Sequence, residues 1–207
     1  QALLAPGKGI LAADESNGTC GKRFEKYGIP QTPEMRGKWR ELLFTAPEIE
    51  QGLSGVILYD ETIRQKASDG RSFAELLASR GILIGIKVDQ KTEPLAGSPK
   101  EEVTKGLEGL PARLSEYKKM GAAFTKWRAV IRVGDGLPTA ACIQENAKRL
   151  AAYARASQKA LLVPILEPEV LLDGTHTLAR SEEVLTETLC VVFDEVKKAG
   201  VNLSEMI

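Results

Sequence analysis

Five short apolar runs separated by helix-patterned stretches predict an α/β fold built on parallel strands. The runs GILAADE (Gly9–Glu15), GVILYDE (Gly55–Glu61), ILIGIKVD (Ile82–Asp89), AAFTKWRAVI (Ala122–Ile131) and LLVPILEPEV (Leu161–Val170) have strand length. A helical pattern follows each run, and parallel neighbours need such a crossover to return the chain. Each run also carries Asp, Glu, Lys or Arg at or near its C-terminal end. Charged side chains avoid full burial unless they are paired or used, because desolvating them is costly. Five charged strand ends in a row therefore suggest the floor of an active site.

The helices announce themselves by their ends. Thr32-Pro33-Glu34 is an N-cap with proline at the first helical position, leading into EMRGKWRELLF. Ser72 and Glu75 have capping-box spacing ahead of FAELLA, and Gly81 closes that helix. LPARLSEYKKM ends at Gly121 by the same device, and Thr139 opens a long amphipathic stretch through Lys159. Ser181-Glu182-Glu183 opens the last helix, whose end carries Lys197 and Lys198 before Gly200, the charge order that the helix dipole favours.

No linker, low-complexity segment or composition break interrupts the chain, so residues 1–207 are expected to form a single domain. An open doubly wound sheet concentrates its functional groups at one switch point, whereas a (β/α)₈ barrel spreads them over the C-terminal ends of many strands. No GxGxxG follows the first run. The barrel fits better. Only about five βα units are present where a closed barrel has about eight, and a sixth strand is expected to begin just past NLSEMI. The expectation is a (β/α)₈ barrel cut short, its single domain partial.

With 28 basic and 28 acidic residues the chain carries no net field to draw it to nucleic acid or to a membrane surface. No apolar run approaches the roughly 20 residues that span a bilayer. The start QALLAPGKG lacks a basic stretch followed by an apolar one, so no signal peptide is expected. Cys20, Cys142 and Cys190 are odd in number and lack CxxC spacing, which points to a reducing cytoplasm without a disulfide framework. His176, in DGTHT, is the only histidine, and this excludes a zinc site built from several histidines within these residues.

Residues two apart on a strand share a face, so Lys126 and Arg128 point the same way, as do Glu167 and Glu169. Each pair alone is as readily a buried ion-pair element or an exposed edge. Two such pairs, with Asp14 and Lys87 on separate strands, shift the balance to a site. The chemistry suggested is anion binding joined to acid–base work. Lys87, Lys126 and Arg128 can neutralise phosphates, arginine with a bidentate fork, while Asp14, Glu167 and Glu169 can share proton transfers. The glycine-flanked loop SNGTCGKR adds Ser16, Thr19, Lys22, Arg23 and backbone donors, a phosphate cradle or simply a turn. Asp60 and Glu61 are as well placed to cap the following helix, and Trp39 and Trp127 are read as packing residues.

The runs PGKGILAADES, GVILYDET, GIKVD, KWRAV and LVPILEPE, in this order and spacing, closely resemble class I fructose-bisphosphate aldolase over essentially the whole chain. The resemblance implies a metal-independent (β/α)₈ barrel enzyme, without cofactor and usually tetrameric. Such an enzyme cleaves fructose 1,6-bisphosphate to dihydroxyacetone phosphate and glyceraldehyde 3-phosphate through a lysine Schiff base. By motif, Asp14 resembles the residue that handles the proton of the C4 hydroxyl during carbon–carbon cleavage. Lys126 resembles the lysine that supports carbinolamine chemistry. Glu167 resembles the general acid/base of Schiff-base formation and dehydration, with Glu169 in support. Ser16, Thr19, Arg23, Lys87 and Arg128 match phosphate-binding positions.

The family's Schiff-base lysine lies in an LKPNM-like strand that would start after Ile207, and a second phosphate site comes from later strands still. The segment KKAGVNLSEMI departs from the commoner family pattern, in the manner of a divergent or bacterial-type branch. An amine must attack the ketone to create the electron sink, and neither Lys87 nor Lys126 has that role in the family. Residues 1–207 alone are thus expected to be inactive. The alternative reading is a non-catalytic sugar-phosphate-binding or scaffold protein ending near Ile207. A magnesium lyase using Glu167 and Glu169 is disfavoured, since a cation site would not be ringed by lysines.

Overall fold

A computed structural model describes residues 1–207. The strands and helices are β1 (Gly9–Ala13), α1 (Asn17–Glu25), α2 (Pro33–Phe44), α3 (Ile49–Gly52), β2 (Leu53–Leu58), α4 (Asp60–Arg64), α5 (Phe73–Ala78), β3 (Leu83–Lys87), β4 (Thr92–Leu95), β5 (Ser98–Thr104), α6 (Leu110–Lys119), β6 (Ala122–Ile131), α7 (Ala140–Lys159), β7 (Val163–Val170) and α8 (Leu178–Lys198). The five apolar runs are the five strands of one sheet, in the order β1-β2-β3-β6-β7. The chain has the α/β order and parallel sheet of a partial (β/α)₈ barrel.

By its internal packing the chain divides into two units, Gln1–Lys87 with Glu116–Thr125, and Val88–Ser115 with Lys126–Ile207. In the first, β1, β2 and β3 pair in parallel, with Ala13 beside Leu58 and Leu58 beside Ile86. The same register puts Gly55 beside Leu83 and Ile57 beside Gly85. A side chain at either glycine would strike the Phe124 ring, since a Cβ on Gly85 would lie 2.2 Å from its Cε2 and one on Gly55 3.0 Å from its Cε1. Phe124, itself fully buried, fills the space that those two positions leave open.

In the second unit, the Val88 amide donates to the Lys126 carbonyl (3.0 Å), and the Leu171 amide, just past β7, donates to the carbonyl of Ile131, the last residue of β6 (2.9 Å). Trp127 stacks on Tyr153 of α7 with ring centroids 5.3 Å apart, and the Tyr153 hydroxyl donates to the Ile165 carbonyl. Ile131, Val133, Cys142 and Val184 form a buried cluster flanked by Leu95 and Val170. The Ile207 amide donates to the Pro164 carbonyl and the Leu166 amide to the Ile207 carbonyl, so extended backbone lies beside β7 where a sixth strand is expected.

Most helix ends follow the sequence reading. Thr32 Oγ1 accepts from the Met35 amide, Ser72 and Glu75 close a full capping box, and Thr139 Oγ1 accepts from the Cys142 amide. Four readings change. SNGTCGKR is the first turns of α1 rather than a loop, because Ser16 Oγ accepts from the Thr19 amide and starts a helix there. The last helix begins at Leu178, with Thr177 as its cap, one turn before Ser181. Asp60 and Glu61 lie inside the first turn of α4, behind Tyr59, and cap nothing. The segment after Asp89 folds into an antiparallel hairpin, β4–β5, that no periodicity announced. Trp127 is buried as a packing residue should be, whereas Trp39 is 36% exposed.

Candidate active site

In the first unit, the ladder register carries Asp14 and Lys87 to one level at the C-terminal edge. β1 ends at Ala13, level with Leu58, which is level with Ile86; one residue on come Asp14 and Lys87. Equal register on parallel strands sends both side chains to one face, and the intervening β2 separates their backbones by roughly 9–10 Å. Asp14 is 7% exposed and Lys87 half-buried. By alternation this is also the face of Gly55, Gly85 and the Phe124 ring.

Directly after Asp14 the chain turns into α1. Ser16 is the N-cap, and its hydroxyl lies 3.0 Å from Thr19 Oγ1, so the two hydroxyls stand side by side at the helix start. Arg23, two turns on and largely exposed, pairs with Glu15 Oε1. The other Glu15 oxygen and the Glu15 carbonyl both accept from Arg40 of α2, at 2.5 and 3.1 Å. Burial raises the Glu15 carboxyl, but the charge of Arg40, the backbone and Arg40 hydrogen bonds and the charge of Arg23 outweigh it and hold the group below its ordinary value. One helical turn from Arg40, Arg36 grips both oxygens of Glu61 (2.6 and 2.7 Å), and Glu61 accepts from Asn17 (3.1 Å).

In the second unit, the two i, i+2 pairs meet across neighbouring strands. Lys126 Nζ lies 3.1 Å from Glu167 Oε1. Arg128 Nε donates to Glu169 Oε2, and this hydrogen bond holds the Glu169 carboxyl below its ordinary value against its burial. The Arg128 amide donates to Asp89 Oδ2 at 3.2 Å, and Thr104 Oγ1 donates to the Arg128 carbonyl at 2.8 Å, so the strand backbone under the pair is pinned. Glu167 Oε2 is buried with no hydrogen-bond partner. A buried lone carboxylate oxygen is expensive, and a proton-transfer role is one standing reason for keeping it. Lys126 is the shielded member of the two pairs, its side chain 10% exposed, whereas those of Glu167, Arg128 and Glu169 are 37%, 40% and 37% exposed.

The structure places the sequence-named residues in these two groups and adds Glu15, Arg36 and Arg40, with Glu61, read from sequence as a possible helix cap, as the supports of the β1–α1 turn. The only local trace of them is two arginines four apart in MRGKWRELLF, on the face of α2 that packs inward, and that spacing does not say what the arginines meet. The three cysteines are free thiols, Cys20 and Cys142 buried and Cys190 exposed. Burial, with the nearby Glu101 carboxylate, pushes the Cys142 thiol up to about 12.

Parallel strands with acids and bases at their C-terminal ends are the arrangement of the (β/α)₈-barrel class, and the structural match that follows places the chain in it. A solved fructose-bisphosphate aldolase from Plasmodium falciparum, in ternary complex with TRAP and a small-molecule inhibitor, superimposes with a TM-score of 0.97 at 41% identity, over 99% of this chain and 60% of that one. The family model for glycolytic fructose-bisphosphate aldolase class-I matches residues 1–207, and the chain belongs to that family. A probable fructose-bisphosphate aldolase class 1 of Xanthomonas campestris pv. campestris is 51% identical over the whole chain, which spans 62% of that relative's length. Fructose-bisphosphate aldolase 5, cytosolic, of Arabidopsis thaliana is 50% identical over 92% of this chain and 53% of its own.

Proposed function

We propose that the protein to which this chain belongs cleaves fructose 1,6-bisphosphate reversibly into dihydroxyacetone phosphate and glyceraldehyde 3-phosphate through a lysine Schiff base, without a metal. The observation that carries the reading is the Lys126–Glu167 contact at 3.1 Å, with the second Glu167 oxygen buried and unpartnered, in a chain of the aldolase family. One carboxylate oxygen oriented by an ammonium leaves the other to take or give a proton at the carbinolamine. Glu167 is thus the acid/base of Schiff-base formation, Lys126 its partner in that chemistry, and Glu169 a support.

Asp14 takes the proton of the C4 hydroxyl as the carbon–carbon bond breaks. Ser16, Thr19, Arg23 and Lys87 bind one phosphate, and Arg128, freed in part from Glu169, neutralises negative charge on the sugar phosphate. The ketone's nucleophile is a lysine outside residues 1–207, so these residues alone bind sugar phosphate and do not turn it over. The whole protein acts in glycolysis or gluconeogenesis in the cytoplasm, as a homo-oligomer of the family's tetrameric kind, with no nucleic-acid or membrane partner. No helix is long and apolar enough to cross a membrane.

The test is borohydride reduction of the protein isolated from its source, with fructose 1,6-bisphosphate present, followed by peptide mapping. A lysine adduct with cleavage activity that survives a chelator supports the proposal. Sugar-phosphate binding without adduct or cleavage supports the non-catalytic alternative, and activity lost to the chelator overturns the metal-free mechanism.

A further inference from the structure

We infer that Arg40 is a positioning residue for the β1–α1 turn, holding Asp14, Ser16 and Thr19 where the chemistry needs them; the roles of those three rest on the aldolase reading above. Arg40 is 2% exposed, among the largest fully shielded side chains of the molecule. A buried guanidinium must be neutralised, and the Glu15 carboxylate does that at 2.5 Å. The second bond is the informative one. Arg40 Nη2 also donates to the Glu15 main-chain carbonyl at 3.1 Å. A mere ion pair has no use for that contact. Its effect is to fix the peptide plane between Glu15 and Ser16, the link through which Asp14 is joined to the N-cap.

The other side of Ser16 is tied to the same helix. Arg36, one turn before Arg40, donates to both oxygens of Glu61 and to the Gln31 carbonyl, and Glu61 accepts from Asn17. Residues 15 and 17 are thus both anchored to α2, the first by Arg40 directly and the second through Glu61. Ser16, at φ −60° and ψ 159°, hangs between the two anchors with its hydroxyl against Thr19. The fork geometry is specific to arginine. A lysine keeps the charge but offers a single point donor, which cannot hold a carboxylate and a carbonyl in fixed relation. A displacement of about 1 Å at a reacting group can cost roughly a hundredfold in rate, so a clamp on this turn is a clamp on catalysis.

Arg40→Lys in the full-length protein is the test, read by two reactions that use different residues. Cleavage of fructose 1,6-bisphosphate needs Asp14 and the phosphate held by Ser16 and Thr19, whereas borohydride trapping of dihydroxyacetone phosphate, whose one phosphate goes to the second phosphate site, needs only the Schiff-base machinery. The expected result is a kcat for cleavage lower by about tenfold or more, with trapping changed by no more than about twofold. Cleavage left unchanged, or cleavage and trapping falling in parallel, overturns the inference. Glu15→Gln removes the charge pair but keeps the carbonyl acceptor, so it should impair kcat less than Arg40→Lys; equal losses mean that Arg40 is only an ion-pair partner. A wild-type protein that neither cleaves nor is trapped refutes the aldolase reading instead. Amide hydrogen exchange over residues 13–20 then decides: faster exchange in Arg40→Lys than in wild type supports the clamp, and unchanged protection overturns it.

Discussion

The two groups of charged residues are built in opposite ways. Around the β1–α1 turn, acids that follow strands β1 and β2 are held by arginines from a helix, and the supporting cations are almost fully buried, Arg40 at 2% and Arg36 at 9% exposure. On β6 and β7 the partners face each other directly across the ladder, and the Arg128 and Glu169 side chains are 40% and 37% exposed. The first arrangement shapes backbone; the second shields Lys126 but leaves Arg128 and both carboxylates near solvent, where a ligand can compete for them. Removing one partner of a buried pair strands a charge, whereas removing one partner of an exposed pair leaves water to compensate. The turn should therefore be dear to stability and the strand pairs dear to activity.

The sharpest break of that contrast is Glu167→Gln in the full-length protein. Loss of a general acid/base predicts a fall in cleavage kcat of about 10²–10⁴-fold, with a urea midpoint near that of wild type. A variant that unfolds instead would make the strand pair structural. Arg40→Met reverses the pattern, because it leaves Glu15 without its buried cation and should cost about 3–5 kcal/mol in urea unfolding. Ser16→Ala removes the N-cap of α1 and should cost about 1 kcal/mol by the same measurement.

The smallest effect concerns Arg128 and Glu169, an exposed pair worth about 0.2–1 kcal/mol. The Glu169 carboxyl is lowered in the folded state, so the pair's stabilisation is complete above the ordinary value of 4.5 and is lost as pH falls through the lower folded value. Glu169→Gln should flatten that part of the acid limb and leave the stability at neutral pH almost unchanged. Equal acid sensitivity in the variant would assign the limb elsewhere, with Glu15 the first candidate because it too is lowered.

The strands and their charged ends were legible because two local signals agree, apolar runs of strand length and i, i+2 charge spacing. Lys126 facing Glu167 and Arg128 facing Glu169 is what that spacing predicts for neighbouring strands in register. Caps at Thr32, Ser72 and Thr139 were legible for the same reason, since each bond is closed within three residues. The clamp was not. Arg40 and Glu15 are 25 residues apart, and nothing local tells a guanidinium on an amphipathic helix whether it meets water or a carboxylate. SNGTCGKR misled because its two glycines weaken helix propensity, while a capping serine and inward-facing Cys20, Gly21 and Phe24 supply what propensity lacks. The β4–β5 hairpin escaped because Thr92–Thr104 carries proline and charge where alternation would be expected.

The Phe124 ring above Gly55 and Gly85 makes three positions on three strands share one volume. Such a trio is sterically coupled: a methyl group gained at 85 calls for a smaller residue at 124, and either change alone gives an overpacked or hollowed core. Gly85→Ala should cost about 1–3 kcal/mol by itself, and Phe124→Leu should recover part of it. Among relatives, residue size at 85 should run inversely to size at 124, a pattern of paired substitution that a record of sequences alone would reveal.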